Sequence, residues 1–226
     1  MLRQVCRPSR LAASRHALLA RLSHVRALSA SSSSSGGPGI VWVDGVLTDS
    51  ESPGAKVSVW DTTVQRGDGL FEVVRVLPSG GTVAMELHLD RLYWGSRTVE
   101  LPLPDRDVVR GYIEEAAAVG GEGMVRLLCT RGGDECGLPF APPKMVTLWQ
   151  PLPAYGTECA LHPIAAPWHP AGFGGWKTIK WLSYGPNMHM LRAAKAAGCD
   201  DALVRAPAPS LPSAATHRAT LQLVCS

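Results

Sequence analysis

The sequence predicts an α+β chain (α/β in the loose sense), and three observations carry that expectation. Short runs of strand-forming residues are mixed with amphipathic helical segments, without strict βαβ alternation. Hydrophobic residues make up 46% of the 226 and charged residues 18%, an ordinary globular balance that argues against wholesale disorder. Its apolar runs fall well short of the ~18 residues a membrane span needs.

The elements follow in order. Ile40–Val43 and Val46-Leu47 read as a hairpin, because Asp44-Gly45 supplies the positive φ angles of a tight turn. Leu70 to Leu77 reads as a strand broken only by Glu72 and Arg75, with a turn at Pro78-Ser79-Gly80-Gly81 and a return strand over Thr82–Leu87. His88 to Val99 has Leu89, Leu92 and Tyr93 on one helical face, and Asp105 is the N-cap of a second helix ending near Gly120-Gly121. Met124–Thr130, Met145–Trp149 and Glu158–Ile164 read as strands, and Pro167 to Gly175 as loop. Ser183 caps a helix that tolerates Pro186 in its first turn and stops at Gly198. Asp201–Val204 begins one more strand, and Leu221–Val224 forms a short one. Pro151 and Pro153 mark a boundary, so the chain divides into a leader (1–39), a first domain (40–150), a second unit (151–204) and a tail (205–226).

The formal charge of +3 is unevenly spread. Residues 1–43 hold six arginines and no acid, residues 44–201 hold 14 basic and 19 acidic residues, and 202–226 hold only Arg205 and Arg218. An acid-poor leader with leucines at helical spacing, followed by Ser31–Ser35 and Gly36-Gly37-Pro38-Gly39, has the pattern of an organellar transit peptide. Its arginine density favours a mitochondrion over a plastid. The slightly acidic middle excludes a broad nucleic-acid surface. No membrane partner is expected. The six cysteines form no CxxC pair and lie near no histidine at ligand spacing, so buried thiols are expected and a metal site is not.

Lysine is scarce, with five against 17 arginines. Lys180 lies at the end of a strand between Ile179 and Trp181, just before a helix. Local context leaves two readings: a solvated surface lysine, or a desolvated amine whose lowered pKa suits Schiff-base chemistry. Arg91, in His88-Leu89-Asp90-Arg91-Leu92, either pairs with a neighbouring acid such as Glu86 or Asp90 or offers its planar fork to a phosphate. Gly67-Asp68-Gly69 enters a strand without the helix and lysine of a nucleotide P-loop. There is no HExxH, nucleophile elbow or dinucleotide fingerprint.

The order of the motifs over residues 40–204 resembles the fold-type IV pyridoxal-phosphate enzymes. These include branched-chain aminotransferases, D-amino-acid aminotransferases and aminodeoxychorismate lyase. The motifs are Gly67-Asp68-Gly69 with Phe71-Glu72, His88 to Leu92, Arg126 to Gly132, and Lys180-Trp181-Leu182-Ser183-Tyr184 with Gly198 to Leu203 downstream. The resemblance implies a small N-terminal α+β domain and the start of a larger barrel-like domain, a homodimer, and pyridoxal 5′-phosphate as cofactor. It implies that Lys180 forms the Schiff base and shuttles the proton, that Arg91 grips the phosphate and that Tyr184 lies close to the cofactor. Phe71 and Arg131 fall near the substrate pocket. The substrates it implies are a small amino acid and a 2-oxo acid, with lyase chemistry as the alternative. Gly133–Leu138 lacks the arginine and histidine that D-amino-acid aminotransferases use, which points away from D-amino acids.

The family places a glutamate beyond the strand at Asp201–Val204, where it pairs with the pyridine nitrogen. Residues 205–226 contain no acid, so the chain is expected to depart from the family near Arg205, as a C-terminally truncated form with an incomplete cofactor site. A catalytically silent product is the other expectation this departure raises.

Overall fold

A computed structural model describes residues 40–50, 52–133, 137, 139–153, 157–165, 179–205 and 221–223. The leader, and with it the transit-peptide expectation, lies outside the described residues, as do the loop expected at Pro167 to Gly175 and most of the tail.

Five strands form one antiparallel sheet: β1 (Ile40–Val43), β2 (Val46–Asp49), β3 (Gly69–Val76), β4 (Gly123–Thr130) and β5 (Met145–Gln150), in the order β2-β1-β5-β4-β3. The β1–β2 hairpin turns through Asp44 (φ 50°) and Gly45 (φ 78°), the two positive angles its Asp-Gly pair predicts. Asp44 also ties the turn to β5, since its N–H donates to the Met145 carbonyl and its carboxylate accepts from the Met145 N–H, both at 2.9 Å. β3 pairs with β4 along all eight of its residues and is an edge strand.

Three helices accompany this sheet: α1 (Thr62–Arg66), α2 (Met85–Thr98) and α3 (Arg106–Gly120). Trp42, Leu70, Val74, Val76, Val125 and Leu127 of the sheet pack against Leu89 and Leu92 of α2 and Val109 and Ile113 of α3. Each large aliphatic side chain buried on this face contributes about 1.5–3 kcal/mol. The return strand expected over Thr82–Leu87 is replaced by a bridge from Val76 to Thr82, after which Ala84 turns at φ 52° and α2 begins. Met85, Leu89 and Leu92 are all buried at helical spacing, so Met85 belongs to the helix period rather than to a hairpin. The short α1 was not expected. It is capped by Asp61, whose carboxylate accepts from the Thr63 N–H, and closed by Gly67 at φ 73°.

A second sheet contains β6 (Leu161–Ala165), β7 (Asp201–Arg205) and β8 (Leu221–Leu223). β6 and β7 are parallel, so the chain between them must cross over, and α4 (Gly185–Ala196) lies within that crossover. Met190 and Ala194 of α4 pack on Ala202 and Val204 of β7. Ser183 does not cap α4: the N-cap residue is Tyr184, and the Ser183 hydroxyl instead donates to the Gly67 carbonyl at 2.8 Å. Asp105 sits at the N-cap of α3 without a side-chain hydrogen bond. Cys129 is the buried thiol expected, whereas Cys199 is half-buried and Cys159, two residues ahead of β6, is exposed. Among the described residues no helix is long and apolar enough to cross a membrane.

Candidate active site

The position of Lys180 follows from the free edge of β3. Residues Lys180–Leu182 lie along that edge: the Phe71 N–H donates to the Lys180 carbonyl at 3.0 Å, and the Leu182 N–H donates to the Gly69 carbonyl at 2.9 Å. Leu70 and Trp181 form the antiparallel bridge between these bonds. Such close approach explains the glycines before β3. A Cβ on Gly69 would stand 2.7 Å from the Cys129 carbonyl oxygen and 2.8 Å from Leu182 Cδ1. One on Gly67 would stand 2.3 Å from Ser183 Oγ. Ile179 is buried in the core beneath the same edge.

Held this way, Lys180 Nζ lies 4.2 Å from the centroid of the Phe71 ring, a cation–π distance. Tyr184 meets the ring edge-on, with centroids 5.4 Å apart and planes at 89°. A third group, Arg126 of β4, puts its guanidinium carbon 5.8 Å from the ring centroid. Arg126 faces Val73 and Leu148 across its neighbouring strands, and its buried Nε has no hydrogen-bond partner. Lys180, Phe71 and Tyr184 are therefore brought together, and Arg126 joins them. Its signal in the sequence was an arginine inside an apolar strand, but only strand pairing reveals that no acid lies opposite it.

One residue along β3, Glu72 points to the helix side. It is 1% exposed. Its carboxylate accepts from Arg91 Nε and Nη2, each at 2.6 Å, and lies 2.8 Å from His88 Nδ1. Burial works to raise the Glu72 carboxyl, but the hydrogen bonds and charges of Arg91 and His88 outweigh it and hold the group below the ordinary value. The Glu72 hydrogen bond raises Arg91 in turn. Arg91 thus pairs with neither acid of its own helix. Glu86 is bonded to Arg106 and Arg110, and Asp90 to Arg106, across the α2–α3 surface.

Arg131 is 7% exposed and faces the Gly67–Gly69 turn. Its Nε lies 2.5 Å from Asp68 Oδ2, while Nη2 donates to the Val99 carbonyl at 2.7 Å and Nη1 to the Glu100 carbonyl at 3.1 Å. This arrangement clamps the turn to the end of α2. Most of the Gly133–Leu138 segment lies outside the described residues.

Comparison with known proteins places this geometry in a family. Residues 69–217 match the class IV amino-transferases, and the match continues past Arg205. A bifunctional aminodeoxychorismate lyase / D-amino acid transaminase from Mycobacterium tuberculosis is 32% identical over 165 residues, covering 63% of this chain and 53% of that protein. A fold IV transaminase from Curtobacterium pusillum superposes with a TM-score of 0.61 at 28% identity, covering 71% of this chain and 58% of that one. A 4-amino-4-deoxychorismate lyase from Pseudomonas aeruginosa gives 0.54 at 27%, covering 73% and 60%. The chain spans about half the length of the curated relative it matches.

Two residues, one beside each face of the β3 edge, have chemistry that fits the family's cofactor, pyridoxal 5′-phosphate. Lys180 offers an amine beside an aromatic face, and Arg91 offers a fixed guanidinium suited to a phosphate. The pyridine nitrogen is not served by either fully buried carboxylate among the described residues: Asp61 caps α1, and Glu72 holds Arg91 and His88. The matched sequence, the α+β architecture and the lysine held against the β3 edge agree: the chain belongs to the class IV aminotransferase family.

Proposed function

We propose that this chain carries an amino-transfer site that moves an amino group between a small amino acid and a 2-oxo acid, with Lys180 as its catalytic amine. The observation that carries the reading is the position of Lys180 Nζ, 4.2 Å from the Phe71 ring centroid. Bound there, pyridoxal 5′-phosphate supplies the carbonyl that accepts the amino group and the electron-withdrawing ring that loosens the substrate's Cα proton. Lys180 holds the cofactor through its amine and moves that proton. Phe71 packs its ring face against the lysine amine and keeps water from it, and Tyr184 fixes the ring edge-on. Arg91 binds the phosphate. Arg126, which has no carboxylate partner among the described residues, receives a substrate carboxylate as a charge-assisted hydrogen bond. Arg131 acts at a distance, by fixing the turn against which residues 180–183 pack.

Aminodeoxychorismate lyase chemistry is the second reading, favoured by the two aminodeoxychorismate lyases among the similar proteins. Exposed Val59, Trp60, Val64 and Phe140 support a homodimer, because Trp60 and Pro139 both adjoin Gly133 and bring these apolar side chains to one region. Import into an organelle, a mitochondrion ahead of a plastid, rests on the basic leader.

The deciding experiment mixes the purified chain with pyridoxal 5′-phosphate and records the spectrum before and after borohydride. An absorption band at ~410–430 nm, and reduction that fixes the cofactor's mass on the peptide containing Lys180, are expected. If neither appears, the enzyme reading of this chain fails and a catalytically silent protein replaces it.

A further inference from the structure

We infer that Glu72 is the positioning residue for Arg91, orienting its guanidinium so that the outer nitrogen meets the cofactor phosphate. The inference rests on the proposed role of Arg91 and adds a cause for its geometry. Glu72 sits on a strand paired along its whole length, so its carboxylate is a fixed anchor. It takes Nε and Nη2 of Arg91 in a bidentate pair at 2.6 Å each, which sets the plane of the guanidinium. His88 Nδ1, 2.8 Å from Oε2 and 3.3 Å from Arg91 Nη2, closes the other side of the carboxylate. Arg91 Nη1 makes no hydrogen bond to a described residue, and the side chain remains 41% exposed, so that nitrogen is the one left for an anion.

Stability alone does not call for this pair. Leu70, Val74 and Val76 occupy the same face of β3, where an aliphatic side chain at 72 would pack as they do. Buried ion pairs are often no more stabilising than such a residue. A carboxylate there does what an aliphatic cannot, which is to lock a long, rotamer-rich arginine in one orientation before the phosphate arrives.

The test compares pyridoxamine 5′-phosphate with pyridoxamine by calorimetric titration of the full chain. The two differ by one phosphate and form no covalent bond to Lys180. In the wild type, the phosphorylated compound should bind more tightly. Glu72→Gln places an amide N–H₂ against the guanidinium, and Glu72→Asp is one methylene too short to reach both nitrogens. Each should cut the preference for the phosphorylated compound by about 10-fold, the scale of one charge-assisted hydrogen bond, while affinity for pyridoxamine stays within about two-fold. A purely structural role would lower the melting temperature or weaken both compounds alike, leaving their ratio unchanged. An unchanged ratio in whichever variant folds overturns the inference. A wild type with no preference overturns the role of Arg91 itself, and this inference with it.

Discussion

Phe71 and Glu72 are adjacent on β3 and face opposite sides of the sheet, and each gathers two basic side chains. On the helix side, Arg91 and His88 meet a full carboxylate at hydrogen-bond distance, and Glu72 itself is buried with both oxygens engaged. On the other side, Lys180 and Arg126 meet an aromatic ring, whose face attracts cations. The difference lies in the anchor. The Glu72 side fixes one guanidinium through a bidentate carboxylate, and the Phe71 side gathers its cations on a ring face, where the buried Nε of Arg126 has no hydrogen-bond partner among the described residues. One residue of strand alternation separates a carboxylate-anchored cluster from one gathered on an aromatic ring.

Replacement of Lys180 breaks the contrast most severely. Lys180→Ala should lower any transaminase turnover by at least about 10³-fold, since both the covalent attachment and the proton carrier are lost, while urea unfolding stays close to wild type. Arg126→Gln should raise KM for the carboxylate-bearing amino acceptor by about 10–100-fold with a smaller change in kcat, read from steady-state kinetics. Equal losses in kcat and kcat/KM would instead place Arg126 at the transition state.

On the Glu72 side, losses of stability accompany the loss of phosphate preference. Arg91→Ala leaves a buried carboxylate with His88 alone and should cost about 2 kcal/mol, less than the full penalty for breaking a buried pair because Arg91 is partly solvated. Glu72→Leu should cost less, since the arginine can turn into water. The urea midpoints of the two variants test that asymmetry.

Gly67→Ala should cost about 1 kcal/mol through its positive φ and displace Ser183. Loss of the Phe71 contact with Lys180 would appear as a change in cofactor absorbance without collapse of the helix-side core. The smallest effect is expected at the surface. Glu86, held down to about 2 by hydrogen bonds from Arg110 and Arg106, contributes stability that is complete above its ordinary value of 4.5 and is lost as pH falls toward 2. The melting-temperature deficit of Glu86→Gln should shrink over that interval and in high salt.

Much of this was legible because the local rules were strong. Asp44-Gly45 dictated a hairpin, the alternation in Met124–Thr130 a half-buried strand, and Gly67-Asp68-Gly69 followed by Phe71 the entry to the site. The short α1 escaped notice because five residues are too few to display a period. The onset of α2 was misplaced because Thr82–Leu87 contains a run of apolar residues that suits strand and helix alike.

By itself the sequence determined the α+β class, the order of the motifs and the place of Lys180 just before α4, because these depend on periodicity and on residue chemistry close along the chain. Only the tertiary structure decided the partners. Arg91 is drawn 19 residues back to Glu72 instead of to Glu86 or Asp90 beside it on α2, because those acids are taken across the helix surface by Arg106 and Arg110. Arg131 is consumed by Asp68 and two backbone carbonyls, and Arg126 is left beside Phe71 with no acid across from it. Charges find their partners through sheet register and helix packing, and those are set by contacts between segments far apart in the chain.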